Sequence, residues 1–331
     1  MEKNAVTIKD IAKKANCSLS TVSKLLNGGN VKEPQRSNIQ KIIEELDYHP
    51  NVIARGLRNK KSYTIGVVLP YFNSFFSMNI MKIIETELSL KNYTVVLCSS
   101  ENSPEQEAKK ISFLLSNQVD GIILIPVSKG NDSIKELLES NIPFVQVDGI
   151  IGGVCAPGVI LNNEEVCFET VTNLLQETDK IALIGSTDNY TGEKRLEGYK
   201  KAYREKNIEL IEDFYQNGNN TIDGGYAAMK NLWKKDIKPR ALFVTNYEMT
   251  IGAIMAINEL GISIPNDLKV VGFDYIGLAK ALNLNLTIIE QPLEEIGKKA
   301  CEVLLSMINY QEKDNNTYVL NAKKVILKEI N

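Results

Sequence analysis

Residues 6–27 read VTIKDIAKKANCSLSTVSKLLN, and their spacing predicts two short helices joined by a tight turn. Thr7 is suited to cap the first helix, with Asp10 three residues on as the capping-box acid. Ile8, Ile11, Ala12 and Ala15 recur at the i, i+3, i+4, i+7 intervals of one buried face. After the turn at Asn16-Cys17, Ser18 is placed as N-cap of a second helix whose inward residues are Val22, Leu25 and Leu26. Asn27-Gly28-Gly29 ends that helix with residues able to take positive φ. A third helix over 34–46 repeats the spacing in Ile39, Ile42, Ile43 and Leu46, so three helices can share one small core. The outward side of the second helix is then Leu19, Ser20, Thr21, Ser23 and Lys24. Hydroxyls and a cation there suit phosphate oxygens and base edges. Two helices joined this way form the unit that places one helix in the DNA major groove. On this stretch alone, a helical hairpin with a solvated polar face is the alternative.

The neighbouring residues weigh on that choice. Pro50 stops the third helix and Asn51 can cap a new one, but 52–59, VIARGLRN, makes only two turns and carries Gly56 at its middle. Such a segment is marginal as an isolated helix and suits one that folds on binding, with a flexible tether as the alternative. Residues 1–61 hold 12 Lys or Arg against 6 Asp or Glu, a net +6, while the other 270 residues sum to -9. A small basic head on a large acidic body points to a polyanion partner for the head alone.

At 331 residues and 44% hydrophobic content, the chain can fill two or three cored domains. No run of 18 apolar residues appears and MEKNAVTIKD is not a signal peptide, so a cytoplasmic protein that does not enter the membrane is expected. The five cysteines, at 17, 98, 155, 167 and 301, include no CxxC pair, and neither a disulfide frame nor a metal site is expected. No cofactor is implied. The single histidine, His49, sits beside Pro50, and no GxSxG, P-loop or HExxH occurs, so an enzyme is not expected.

From Tyr63 onward, short apolar runs alternate with amphipathic stretches, the signature of a parallel α/β sheet. One set of strands is expected at 64–70, 94–100, 119–126, 143–149 and 158–161. A second is expected at 180–186, 208–215, 241–246, 268–274 and 287–292, with helices between, for example at 78–91, 164–176 and 251–260. Two sets imply two doubly wound lobes. Ligands of such sheets bind beyond the carboxyl ends of the strands, which puts a site in the cleft between facing lobes.

The chain resembles the lactose-repressor/galactose-repressor (LacI/GalR) family of transcription regulators over nearly its whole length. The resemblance is carried by TIKDIAKKANCSLSTVSKLLNG (7–28), YHPNVIARGLRNKKSYTIGVVLP (48–70), SNQVDGIILIP (116–126), RLEGYKKA (195–202), GISIPNDLKVVGFD (261–274) and LTIIEQPLEEIGKKA (286–300). It implies an α/β chain with an all-α helix-turn-helix head at 1–49, a hinge helix at 50–61 and a two-lobed, periplasmic-binding-protein-like body at 62–331. Lobe one would span 62–161 plus 292–320, and lobe two 162–291 plus 321–331. It also implies a homodimeric repressor of a palindromic double-stranded DNA operator, controlled by a small-molecule effector, a carbohydrate or a derivative of one. Leu19, Ser20 and Lys24 would read bases, and Thr7, Ser18, Thr21, Ser23 and Asn27 would hold phosphates. Ala54 and Leu57 would enter the minor groove, with Leu57 wedged at a central step.

In the body, the resemblance places Phe75 and Phe76 at the cleft wall and Asp148, Arg195, Asn246, Asp274 and Gln291 around the effector. The residue pattern supports this separately: Asp148, Asn246, Asp274 and Gln291 fall at or just past expected strand ends, and Arg195 lies early in the helix after 180–186. One guanidinium fork among several acceptors suits a polyhydroxyl ligand, while turn, cap or surface roles are the alternative for each residue singly. Three departures stand out. Lys24 occupies a position where many relatives carry Arg, which loosens base discrimination. Asn219-Asn220 replaces an aromatic platform, and Asn246-Tyr247 replaces the common Asn-Asp. A purine, a sugar phosphate or a phosphorylated carrier protein therefore remain alternatives. The last would use the surface at 296–304, which has Lys298 and Lys299 but no arginine. A two-lobed sugar-binding protein without a DNA role is disfavoured by the basic head.

Overall fold

The computed structural model describes residues 6–26, 29–48, 61–127, 130–274, 285–311 and 313–327. The expected hinge helix, with Ala54 and Leu57, lies outside the described residues, as does Asn27. The chain divides into two compact units between Ser62 and Tyr63.

The first unit contains α1 (Ile8–Lys14), α2 (Leu19–Leu26) and α3 (Gln35–Glu45). Asp10 caps α1 as its position predicts, accepting from the Thr7 N–H at 2.9 Å and from the Thr7 hydroxyl at 2.7 Å. These bonds hold its carboxyl below the usual carboxylate range. The chain reverses at Asn16, whose φ of 48° is left-handed, and Ser18 then caps α2 by accepting from the Thr21 N–H at 3.1 Å. The core contains Ile11, Ala12, Ala15, Val22, Ile39 and Ile42, with Leu25, Leu26, Ile43 and Leu46 packed around them. The helical spacing thus brings one apolar stripe from each helix to a common centre.

The second unit carries two six-stranded sheets. In the first, β1 (Thr64–Leu69), β2 (Thr94–Ser99), β3 (Gly121–Leu124), β4 (Phe144–Val147) and β5 (Gly158–Leu161) are joined by β11 (Thr317–Leu320) in the order β11-β5-β4-β3-β1-β2, all parallel. The second combines β6 (Ile181–Gly185), β7 (Tyr215–Asn217), β8 (Ala241–Val244), β9 (Lys269–Phe273), β10 (Leu286–Glu290) and β12 (Lys323–Leu327) in the order β12-β10-β9-β8-β6-β7, with β12 antiparallel. Around the sheets lie α4 (Phe75–Ser89), α5 (Pro104–Ser116), α6 (Lys135–Glu139), α7 (Asn163–Leu174), α8 (Tyr190–Glu205), α9 (Ile222–Lys234), α10 (Tyr247–Glu259) and α11 (Leu293–Tyr310). Each sheet is covered on both faces, which is why its central strands read as continuous apolar runs. No described helix is long and apolar enough to cross a membrane.

The strand expected at 208–215 does not form over that span. Glu212–Phe214 make a 3₁₀ turn and the strand begins only at Tyr215. Glu209, Glu212 and Asp213 interrupt the apolar run, so Ile208, Leu210 and Ile211 pack singly against two cores of the lobe. Helices α7 and α8 approach closely at Gly198, where a Cβ would collide with the Glu164 carbonyl; α9 and α10 do so at Gly252, against the Ile222 carbonyl.

The chain passes between the sheets three times, after β5, after β10 and after β11. Asn162 ties two of these passages together. Its N–H donates to the Leu320 carbonyl at 2.9 Å, and its side-chain oxygen accepts from the Ala322 N–H at 3.0 Å.

Candidate functional site

In the head, α2 turns Leu19, Ser20 and Lys24 outward as the spacing predicts, while Thr21 and Ser23 are half-buried. Val22 is fully buried, whereas Leu19 is 44% exposed and Ser20 and Lys24 are exposed. The Ser18 hydroxyl shares hydrogen bonds with the Ser20 and Thr21 hydroxyls at 2.7 and 2.8 Å, so three hydroxyls cluster at the first turn. A helix N-terminus with clustered hydroxyls presents dipole and donors to an anion, and Lys24 adds a full charge one turn further along.

In the body, the cleft lies where the carboxyl ends of both sheets meet. Asp148 directly follows β4 and Asp274 directly follows β9, with φ of 65° and 68°. In each case the N–H still bonds the neighbouring strand, Asp148 to the Val159 carbonyl at 3.0 Å and Asp274 to the Ile289 carbonyl at 2.8 Å. The backbone then turns away and leaves the carboxylate at the cleft, which both residues line. Gln291, just past β10, donates from Nε2 to Asp274 Oδ1 at 2.7 Å. Asn246 caps α10 by accepting from the Met249 N–H at 2.8 Å. Phe76 lines the cleft wall.

Arg195 is held firmly on its own lobe. Its Nε donates to Asn163 Oδ1 at 2.7 Å, one terminal nitrogen donates to the Thr245 carbonyl, and Cζ lies 3.7 Å from the centre of the Phe273 ring. Two of its five N–H groups are therefore spent on positioning the guanidinium. Burial pushes the Asp274 carboxyl up to about 6, with Arg195 and the Gln291 hydrogen bond opposing and Glu248 and Asp148 reinforcing. Asp148 is also raised by burial, against the pull of Arg195. Of the acceptors that line the cleft, two enclosed ones have no hydrogen-bond partner among the described residues, Asp148 Oδ1 and Gln291 Oε1. Buried acceptors of this kind call for a donor.

Phe75 turns to the rim. Its ring stacks on Tyr247 with centroids 4.5 Å apart and planes 15° from parallel. Its N–H donates to Glu248 Oε1 at 2.9 Å, and Asn246 Nδ2 donates to Glu248 Oε2 at 3.2 Å. The cavity, partly open to solvent, measures about 130 Å³ and is also lined by Tyr71, Ser74, Asn189, Tyr190, Asn219, Asn220 and Glu248. Of these, Tyr71, Ser74, Asn189, Tyr190 and Glu248 were not singled out from sequence. The signal available was their position, since each lies in the loop after a strand that ends at the cleft or in the first turn of the helix that follows.

Comparison with known proteins supports both halves of this description. Residues 7–51 match the family described as bacterial regulatory proteins, lacI family, and residues 176–329 match the periplasmic binding protein-like domain. Catabolite control protein A of Priestia megaterium is 33% identical over 315 residues, covering 94% of this chain and 95% of that one. The HTH-type transcriptional repressor PurR of Vibrio campbellii is 30% identical over 325 residues, covering 97% of each. Among solved structures, the Lac repressor dimer bound to operator and the anti-inducer ONPF is similar in fold, with a TM-score of 0.86 at 24% identity over 98% of this chain and 99% of that one. The chain belongs to the lacI family of bacterial regulatory proteins and is a DNA-binding transcription regulator rather than an enzyme.

Proposed function

We propose that the chain represses transcription as a homodimer on a palindromic operator, under control of a carbohydrate bound in the cleft. Residues 1–49 are the DNA-binding domain, 50–61 the hinge, and 62–331 the effector-binding and dimerisation domain. The observation that carries this is the division of α2, with Val22 fully buried in the head core while Leu19, Ser20 and Lys24 stand exposed. Leu19, Ser20 and Lys24 read bases; Thr7, Ser18, Thr21, Ser23 and Asn27 bind phosphates; Ala54 and Leu57 enter the minor groove. A solved relative in fold is a dimer on its operator, which supports the two-fold arrangement. Selection from random DNA should return a palindrome, and Lys24→Ala should relax the preference at one base pair in each half-site. Selection that returned no symmetric site would remove the reading.

Phe75, Phe76, Asp148, Arg195, Asn246, Asp274 and Gln291 are assigned to the effector site. The two partnerless acceptors, on Asp148 and Gln291, favour a ligand rich in hydroxyl donors over a phosphate ester. Lys298 and Lys299 bond Glu294 and Glu302 of their own helix at 2.6 and 3.0 Å, which gives a carrier-protein surface little support. Calorimetric titration of the full chain with free sugars, their phosphate esters and purines distinguishes the ligand classes. Tighter binding of the phosphate esters would reject the carbohydrate assignment.

A further inference from the structure

At the cleft rim, one carboxylate is shared by the starts of two helices that lie on different lobes. Glu248 belongs to the first turn of α10, on the lobe of the second sheet, and Asn246 of that same turn holds its Oε2 at 3.2 Å. Its Oε1 reaches across to the first N–H of α4, that of Phe75, at 2.9 Å, on the lobe of the first sheet. An anion placed at two helix N-termini is favoured by both dipoles. The next residue back, Tyr247, lays its ring on that of Phe75, so polar and aromatic contacts cross the gap side by side.

The crossing has a counterforce. Glu248 acts on Asp274 as a like charge, and Asp148 adds to the same repulsion. Carboxylates from both lobes therefore crowd the cleft, and bonds that span the rim must hold against them. The cavity left inside, about 130 Å³, is smaller than the ~300–1,000 Å³ of pockets that enclose small-molecule ligands. Elsewhere along the cleft, which both line, Gly149 and Tyr190 approach, with an ideal Cβ on Gly149 lying 3.4 Å from the Tyr190 Cβ.

We propose that Phe75, Tyr247 and Glu248 form a clasp between the lobes, with Glu248 as the positioning residue that sets their separation. Opening this clasp widens the cleft. The clasp stands whether or not the carbohydrate assignment holds, because its test needs no ligand.

The test is amide hydrogen exchange, read by mass spectrometry on the full chain and its variants. Glu248→Ala and Tyr247→Ala should each raise exchange about tenfold or more at 71–79. They should raise it also at 148–150 and 189–192, where Gly149 and Tyr190 approach away from the substituted residues, since a charge-assisted hydrogen bond or a ring stack is lost in each. Tyr247→Phe keeps the ring and should match the parent chain. Exchange that rises only at 75–78 and 246–249 would show a local helix cap and overturn the clasp, as would no change at all. Protection of β1 and β8 reports that each lobe is folded. If Glu248→Ala loses that protection, Glu248→Gln decides in its place. Its uncharged acceptor should give an intermediate rise at both edges, and a rise at neither edge or at one alone would reject the proposal.

Discussion

Asp274 shows how the cleft is kept at a cost to stability. In the unfolded chain its carboxyl titrates near 3.8, and in the fold burial lifts it to about 6. Between these pH values the unfolded chain has released a proton that the folded chain still holds. Stability therefore falls as pH rises through that interval, and the cost is complete above it. The rise from 3.8 to about 6 corresponds to roughly 3 kcal/mol at neutral pH. Asp274→Asn retains an oxygen for Gln291 and removes the charge, so it should stabilise the body by up to that amount at pH 7 and by little at pH 4. Urea denaturation at the two pH values checks this; equal effects at both would show that the carboxylate is not penalised by burial. The position of Asp274 at the end of a strand was legible in the sequence, because GFD closes an apolar run. Its raised carboxyl was not, since it depends on burial by residues brought together from separate elements, a burial that Arg195 and Gln291 only partly offset.

At the level of elements, legibility followed how local the cause is. The head was read nearly residue by residue, because Asp10 and Ser18 act on the backbone three residues away and the apolar stripe is set by one helical period. Ile11 is fully buried at the junction of all three helices. Ile11→Ala should cost about 2–5 kcal/mol and unfold the head while the body stays folded. A melt with a separate early transition, and loss of DNA binding with ligand binding intact, is the expected result. A single unchanged melting curve would refute it. The stretch 208–215 misled because Ile208, Leu210 and Ile211 look like strand residues, whereas they are anchors for two different cores. The pairing of β12 with β10, and of β11 with β5, had no local signal, for each strand joins a sheet built from sequence far before it.

At the scale of the whole molecule, charge distribution and sheet topology separate two tasks. The net +6 of residues 1–61 against -9 in the remainder confines polyanion attraction to the head. Operator affinity should therefore fall on the order of 10³-fold between about 50 and 200 mM salt, as several counterions are displaced. A flat plot of log affinity against log salt would mean that phosphates are not neutralised. The two-lobed body was visible in the sequence as two runs of alternating strands and helices, and so were the cleft positions at strand ends, Asp148, Asn246, Asp274 and Gln291, because strand ends are easy to find. Glu248 and Tyr247 were harder to assign, since what they touch belongs to another lobe some 170 residues earlier in the chain.

The small cavity carries a consequence for time as well as for affinity. A compartment of about 130 Å³, bridged at the rim by protein contacts, must widen to load a larger ligand and widen again to unload it. The same rearrangement then stands in both directions, and its rate belongs to the protein. Observed loading rates should level off as ligand concentration rises, at the frequency with which the rim parts. Chemically different ligands of the cleft should leave with similar half-lives even where their equilibrium affinities differ, so that a transcriptional response would be timed by the regulator rather than by the signal it reads.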